Sequence, residues 1–399
     1  MTCSSIAVAL CAVVALAGPL RAQKAAHRPF PPLTVDPPEL RIEAHTLGLQ
    51  LRQGVIGVGP AGQIVVAPQY GEMVGFDSTG KPSGLKVPTG WQRDLEIRLV
   101  NRIGWLTGAH WGANTMWVAD PGYQQVMLLD KNGALTKSLE APSWVRPSLA
   151  DRRKFPIFAR VDPLALYPDG SWLVVPSRER SLLATPEYDK KFSYLMRIEE
   201  GGKMRQTLAR VPRNEILLEI KSGRETRTLP IPYYPRTYWD AINDGTRIAV
   251  VTPHFAGRDS ATFRVTVIDE RGDTVFAKGY PFTPQPIPAA AVDSVRQRTR
   301  MRVGTMTAEE VGKLLTDRMP PFYPPVLGIH VGRDRTIWVE LKPASPDARE
   351  WLVLDQKGEV IGVATLPKGV ALLEADRAHV WGFERSAQVI NAVVRMRVR

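Results

Sequence analysis

The sequence predicts an all-β chain, a six-bladed β-propeller of four-stranded antiparallel blades in which an N-terminal strand closes the last blade, with a short helical insertion. Three observations lead there. A short β-branched or aromatic run recurs six times along the 399 residues, and internal repeats of this kind mark blade architectures. Five of these runs lead into a second strand that ends in an acidic residue, two variable residues and glycine. The smallest spacing between runs is 43 residues, the length of one bare blade, roughly 40–45 residues.

The six runs are residues 63–67, 115–119, 171–175, 247–251, 336–340 and 379–383. Their near-continuous apolar character marks strands buried on both faces. Most follow a turn-forming element such as Pro60-Ala61-Gly62, Pro168-Asp169-Gly170 or Asn243-Asp244-Gly245, where Asn, Asp and Gly allow a tight hairpin reversal. The acidic turns open at Asp77, Asp130, Glu199, Asp269 and Asp355 and close at Gly80, Gly133, Gly202, Gly272 and Gly358. Each lets the chain double back into a polar outer strand; the one over residues 359–366 stops at Pro367. The sixth unit has no acidic turn because residues 393–398 are its third strand, and residues 40–44 supply its fourth. Closing the ring with one composite blade removes free sheet edges.

Measured from Ile64 to Met116, Trp172, Ile248, Ile337 and Val380, the spacings are 52, 56, 76, 89 and 43 residues. Two intervals therefore carry insertions: an extra hairpin at about residues 213–229 and a helical insertion at about 289–319. Helices are expected over residues 289–301 and 308–318, the second opened by a capping box of Thr307 and Glu310.

The chain ahead of the propeller reads differently. Residues 6–17 are apolar and too short to span a bilayer, and they lead through Gly18 and Pro19 to small residues, the plan of a signal peptide over residues 1–22. Cleavage is expected after Ala17 or Ala22. A lipoprotein would need Cys11 as the acylated residue, and Val8-Ala9-Leu10 lacks the leucine that signal requires. Cys3 and Cys11 are the only cysteines, so removing residues 1–22 leaves 377 residues with no disulfide and a net charge of +11, against +12 for the whole chain. Residues 23–39, with five prolines, read as an extended tether. The protein is expected to be exported, periplasmic or extracellular.

The blade grammar, the segment Pro232-Tyr233-Tyr234-Pro235, the helical insertion before Pro320-Pro321-Phe322-Tyr323-Pro324 and the ending over residues 393–398 resemble the six-bladed NHL-like/TolB-like propellers of exported bacterial proteins. The resemblance spans residues 40–399 and implies fold more than function. Because some six-bladed propellers are calcium-dependent lactonases or related hydrolases, it also implies an alternative: a calcium-dependent hydrolase with its site at the channel.

Catalytic signatures are otherwise missing. Residues 57–62 match the dinucleotide-binding spacing, with Asp77 20 residues after Gly57, but a strand follows where that fingerprint needs a helix. There is no G-x-S-x-G elbow, no phosphate-binding G-x-x-x-x-G-K-[ST] and no cysteine nucleophile after residue 22. The six histidines are never closer than 18 residues, so none form a single-helix metal pair, although a propeller channel would allow His110 to approach His330. First strands line a channel and offer Asp162, Asp240 and Glu374. These do not make a recognisable oxygen cage, and Asp162 and Asp240 equally serve as acceptors for backbone donors. Residues 233–239 and 322–325 carry the Tyr, Trp and Arg types that anchor binding surfaces, or else pack between blades. The channel-mouth candidates are therefore Asp162, Tyr234, Arg236, Trp239, Asp240, Tyr323 and His330, with no cofactor or metal ligand assigned.

Trp117, Trp338 and Trp381 occupy equivalent repeat positions, which makes them core rather than a base-stacking platform, and no nucleic-acid partner is expected. Arg296, Arg298, Arg300 and Arg302 form a basic stripe in the helical insertion, suited to an anionic envelope surface. The first reading is a non-enzymatic exported scaffold that binds a protein or a small molecule on one face. The second is the metal-dependent hydrolase, using Asp162, Asp240 and a third channel ligand.

Overall fold

Tight turns organise the chain. In the turns after the third strands, the acidic side chain caps the reversal: Asp77 Oδ1 accepts from the backbone N–H of Thr79 and Lys81, Asp269 from Arg271 and Asp273, and Asp355 from Lys357 and Glu359. Gly358 closes its turn at φ +77°, a region where a side chain is strained. The acidic-x-x-Gly signature is thus the sequence of a self-capped strand reversal.

The computed structural model describes residues 30–44, 54–68, 73–85, 102–108, 112–120, 125–130, 134–140, 144–145, 159–167, 169–176, 192–199, 203–213, 217–255, 261–386 and 389–399. The expected signal peptide and its cleavage points lie outside these residues, as does His110. The six recurrent runs are the second strands of six antiparallel blades. Blade 1 pairs Gly54–Val58, Ile64–Pro68 and Val74–Phe76. Blade 2 runs Arg102–Gly108, Gly112–Asp120, Gln125–Leu129 and Leu135–Glu140. Blade 3 runs Ala159–Leu166, Trp172–Pro176, Phe192–Ile198 and Met204–Pro212, with the short strand Trp144–Val145 paired to its first. Blade 4 is Tyr238–Ala241, Arg247–Phe255, Ala261–Asp269 and Thr274–Phe282. Blade 5 is Val326–Val331, Ile337–Leu341, Ala348–Leu354 and Val360–Pro367. Blade 6 is Val370–Ala375, His379–Ser386 and Val389–Val398, completed by the N-terminal strand Val35–Glu43.

The closing strand was expected at Leu40, yet it starts at Val35, and Pro32–Leu33 pairs in parallel with the outer strand of blade 5. From Pro32 onward, the segment expected as a tether is part of the fold. Its prolines are tolerated because an outermost strand leaves one edge unpaired, and the register slips on both sides of Pro38. Thr34 and Arg399 exchange backbone hydrogen bonds of 3.0 and 2.9 Å, tying the two ends of the fold together.

Six apolar clusters hold the ring, one between each pair of neighbouring blades. Val65 and Met116 share the cluster between blades 1 and 2, Trp117 and Trp172 that between 2 and 3, and Leu173 and Ile248 that between 3 and 4. Val265 and Val339 share the next, Trp338 and Val380 the one after, and Phe383 and Val66 join blade 6 back to blade 1. Trp117, Trp338 and Trp381 are all buried, as their repeat positions require. Burying a large apolar side chain is worth roughly 1.5–3 kcal/mol, and these clusters recur at every interface.

The two insertions fold against each other. The hairpin of Leu217–Ser222 and Glu225–Pro230 packs Ile220 with Val303, Val311 and Leu315. Helix α1 (Ala289–Arg298) ends three residues earlier than expected and buries no residue of its own, whereas helix α2 (Ala308–Asp317) carries the expected capping box. Both insertions occupy connections that lead into first strands. They are therefore rooted on the face opposite the first hairpin turns. No helix among the described residues is long and apolar enough to cross a membrane.

Candidate functional site

One backbone hydrogen bond closes the first hairpin of each blade in which that turn is described: Gly59 to Gln63, Tyr167 to Ser171, Ile242 to Arg247, Gly332 to Thr336 and Asp376 to His379. Two residues before each donor stand Gly57, Ala165, Asp240, His330 and Glu374. In blade 2, Gly104 pairs opposite Trp117 as His330 pairs opposite Trp338. The six blades thus contribute one layer, in which blades 1–3 present two glycines and an alanine and blades 4–6 present three ionisable groups.

Those three groups converge. His330 Nδ1 lies 3.1 Å from Asp240 Oδ2, and Nε2 lies 3.3 Å from Glu374 Oε1. The carboxylates are held in turn, since Val331 N donates to Asp240 Oδ2 and Ala375 N to Glu374 Oε1, each at 3.0 Å. Burial alone would discharge the imidazole, but the two flanking carboxylates outweigh it and push its pKa up to about 10. His330 is therefore an imidazolium at neutral pH with both N–H groups engaged.

The triad forms part of the wall of a cavity of about 830 Å³ at the mouth where the first hairpins turn, lined by residues of blades 1, 4, 5 and 6. Val55, Ile56, Val58 and Leu373 supply apolar wall. At the rim, Arg333 Nε donates to Asp376 Oδ2 and Nη1 to the Gly59 carbonyl, both at 2.9 Å, and its guanidinium lies 4.7 Å from the Trp381 ring centroid. This arginine joins blades 5, 6 and 1. The described lining holds five carboxylates (Asp240, Asp244, Asp334, Glu374 and Asp376) against Arg333, Arg377 and the His330 cation, a local balance of −2.

Of the residues the sequence singled out, Asp240 and His330 meet here, joined by Glu374. Asp162 does not share their layer. Its backbone pairs with Val175 in blade 3, three residues before Ala165, which takes the equivalent place, and its side chain lies outside those described. Trp239 packs against the cluster between blades 3 and 4. Tyr234, Arg236 and Tyr323 precede first strands and so lie toward the opposite end of the channel. There Tyr233 and Tyr323 pack edge to face at 5.0 Å, and Lys342 Nζ lies 4.8 Å from the Tyr323 ring. In the basic stripe, Arg296 Nε donates to Thr316 Oγ1 at 2.9 Å and Arg300 donates to the Gln297 carbonyl, while Arg298 and Arg302 are exposed. His110, which a channel would allow to approach His330, lies outside the described residues; among those described, the partners of His330 are carboxylates on the two neighbouring blades.

A calcium site needs roughly six to eight oxygens around one point. The imidazole of His330 stands between the Asp240 and Glu374 carboxylates, and no group of three or more metal-ligating side chains suited to an ion forms among the described residues. These residues do not fit a calcium cage.

No protein-family model matches the chain, and no curated protein matches it. Among solved structures, it is similar to a member of the DUF4221 family from Bacteroides vulgatus, at 10% identity and a TM-score of 0.37, over 94% of this chain and 98% of that one. It is also similar to a calcium-binding protein, regucalcin, from Agrobacterium tumefaciens, at 12% identity and a TM-score of 0.37, over 92% and 95%. The WD40 domain of SCAP from fission yeast aligns at 9% identity and a TM-score of 0.28, over 92% and 98%. The count of six blades rests on the strand pairing itself.

Proposed function

We propose that the chain is an exported, non-enzymatic β-propeller that binds a small molecule in the cavity beside Asp240, His330 and Glu374. The cavity carries the reading: about 830 Å³ falls within the roughly 300–1,000 Å³ range of small-molecule sites. The ionisable groups on its wall favour binding over turnover. A general base needs a pKa near the working pH, and His330, held at about 10 between two carboxylates, is charged and has no free nitrogen. The proposal of export rests on the signal-peptide plan of residues 1–22.

The test is a small-molecule stabilisation screen on the purified protein, run beside turnover assays on lactones, phosphoesters and glycosides with calcium and zinc added. Saturable stabilisation without turnover is expected. Robust hydrolysis would overturn the non-enzymatic reading in favour of the metal-dependent hydrolase. N-terminal sequencing of protein recovered from the cell envelope or medium is expected to begin after residue 17 or 22.

A further inference from the structure

We infer that the helical insertion and the adjoining hairpin form a docking surface for an anionic phospholipid membrane, through Arg224, Arg298 and Arg302 with Met301 beside them. This surface is independent of the cavity and lies on the opposite face, where both insertions are rooted. The structure divides the basic stripe of the sequence in two. Arg296 is a packing residue: its Nε donates to Thr316 Oγ1 at 2.9 Å, and its guanidinium lies 3.9 Å from both Asp293 and Asp317, which fastens α1 to α2. Arg298 and Arg302 are exposed and engage no partner among the described residues. Met301, next to Arg302 in sequence, is 44% exposed.

The hairpin brings a third arginine alongside. Gly304 N donates to Glu225 Oε2 at 2.7 Å and Thr305 N to Ser222 Oγ at 3.0 Å, so the turn that carries Arg224 is fixed to the segment that carries Arg302. Gly304 stands at φ +55°, with Ser222 O 2.3 Å from where a Cβ would be, and only glycine permits that approach. Arg224 is exposed and also engages no partner among the described residues. Over residues 217–230 and 289–319, nine basic residues stand against six acidic ones, a balance of +3. Five of the six acids are already engaged: Glu219 with Lys221, Glu225 with Arg227 and Gly304 N, Glu310 in the capping box, and Asp293 and Asp317 with Arg296. Glu309 is the sixth. Guanidinium groups match phosphate, and basic side chains around an exposed apolar one suit a phosphate headgroup layer above acyl chains, whereas a soluble polyanion offers Met301 nothing to bury against. Docking on this face leaves the cavity mouth turned away from the membrane and open to solution.

The experiment is co-sedimentation of the full chain with vesicles of phosphatidylglycerol and phosphatidylcholine, set against vesicles of phosphatidylcholine alone, which read any contribution from the apolar residues 6–17. Binding to the anionic vesicles is expected to be the stronger and to weaken as salt is raised. The combined variant Arg224→Gln, Arg298→Gln, Arg302→Gln is expected to weaken it by roughly a hundredfold at low salt, about fivefold for each arginine. The combined variant Lys81→Gln, Lys203→Gln, Lys357→Gln removes the same charge from acidic turns at the cavity face and is expected to have little effect. Met301→Ser is expected to weaken binding a few-fold at every salt concentration. Every substituted residue is exposed, so these variants keep the fold. Equal losses in the two combined variants, equal binding to both kinds of vesicle, or retention on heparin without vesicle binding would each overturn the membrane surface and leave the cavity reading untouched.

Discussion

Replacing His330 with glutamine removes the imidazolium between the half-buried Asp240 and buried Glu374 carboxylates while keeping a side chain of similar reach. Breaking a buried ion pair by deleting one partner costs about 3–5 kcal/mol, and here both flanking carboxylates lose the imidazolium. The raised pKa supports a loss of that order: from the model value of 6.5 to about 10, at about 1.4 kcal/mol per unit, is a few kcal/mol. In a chain of this size, such a loss lowers the melting temperature by on the order of 4–6 °C. The sign with pH follows from the direction of the shift. A group whose folded pKa lies above its unfolded one stabilises fully below about 6.5 and loses that contribution as pH rises toward about 10. Denaturant unfolding of wild type and His330→Gln, followed by tryptophan fluorescence across that window, isolates the contribution as the difference between the two proteins. The difference is expected to be largest at the acid end and to shrink toward the alkaline end. Adding Glu374→Gln to the variant is expected to recover part of the loss, as directly coupled residues do. A loss under about 1 kcal/mol, or a difference that does not change with pH, would refute the claim that His330 is a cation held by its neighbours.

Three other outcomes follow from particular contacts. Gly358 sits at φ +77° with Phe276 atoms 2.7 Å from where a Cβ would stand, so Gly358→Ala is expected to destabilise by about 1–3 kcal/mol, read as a lower denaturation midpoint. Deleting residues up to 43 removes the closing strand of blade 6 and exposes the edge of Val389–Val398, so loss of a single cooperative transition and aggregation are expected in scattering and calorimetry. Adding millimolar calcium is expected to leave the melting temperature unchanged, whereas a concentration-dependent rise would bring back the metal-dependent hydrolase.

Much of the fold was legible because each blade repeats the same local physics. The apolar runs became second strands because a strand buried on both faces has to be apolar throughout. The acidic-x-x-Gly endings became turns because the carboxylate satisfies the backbone donors that the reversal leaves open, as Asp269 does for Arg271 and Asp273. The start of the N-terminal strand was not legible, because Pro37 and Pro38 argue against a strand in any interior position. Only the knowledge that this strand is outermost makes its missing N–H groups harmless. The insertions were visible as excess length, but the packing of Ile220 against Val303 and Val311 joins segments too far apart for periodicity to link.

The site was written in the sequence by column and not by segment. Glu374 lies 44 residues beyond His330, and no window that displays a motif spans both. Selecting residues by chemical type brought in Asp162, a carboxylate in a first strand like Asp240, but three residues out of register with the layer occupied by Ala165. A propeller supplies one residue per blade to each level of its channel, so the relevant unit is the position counted back from each hairpin closure. Aligned that way, the column reads Gly57, Gly104, Ala165, Asp240, His330 and Glu374. Side chains are absent or minimal on one half of that column, and on the other an imidazole stands between two carboxylates. The first half leaves room and the second fixes a charge, the two properties a binding cavity needs, and neither is visible until the blades are placed in register.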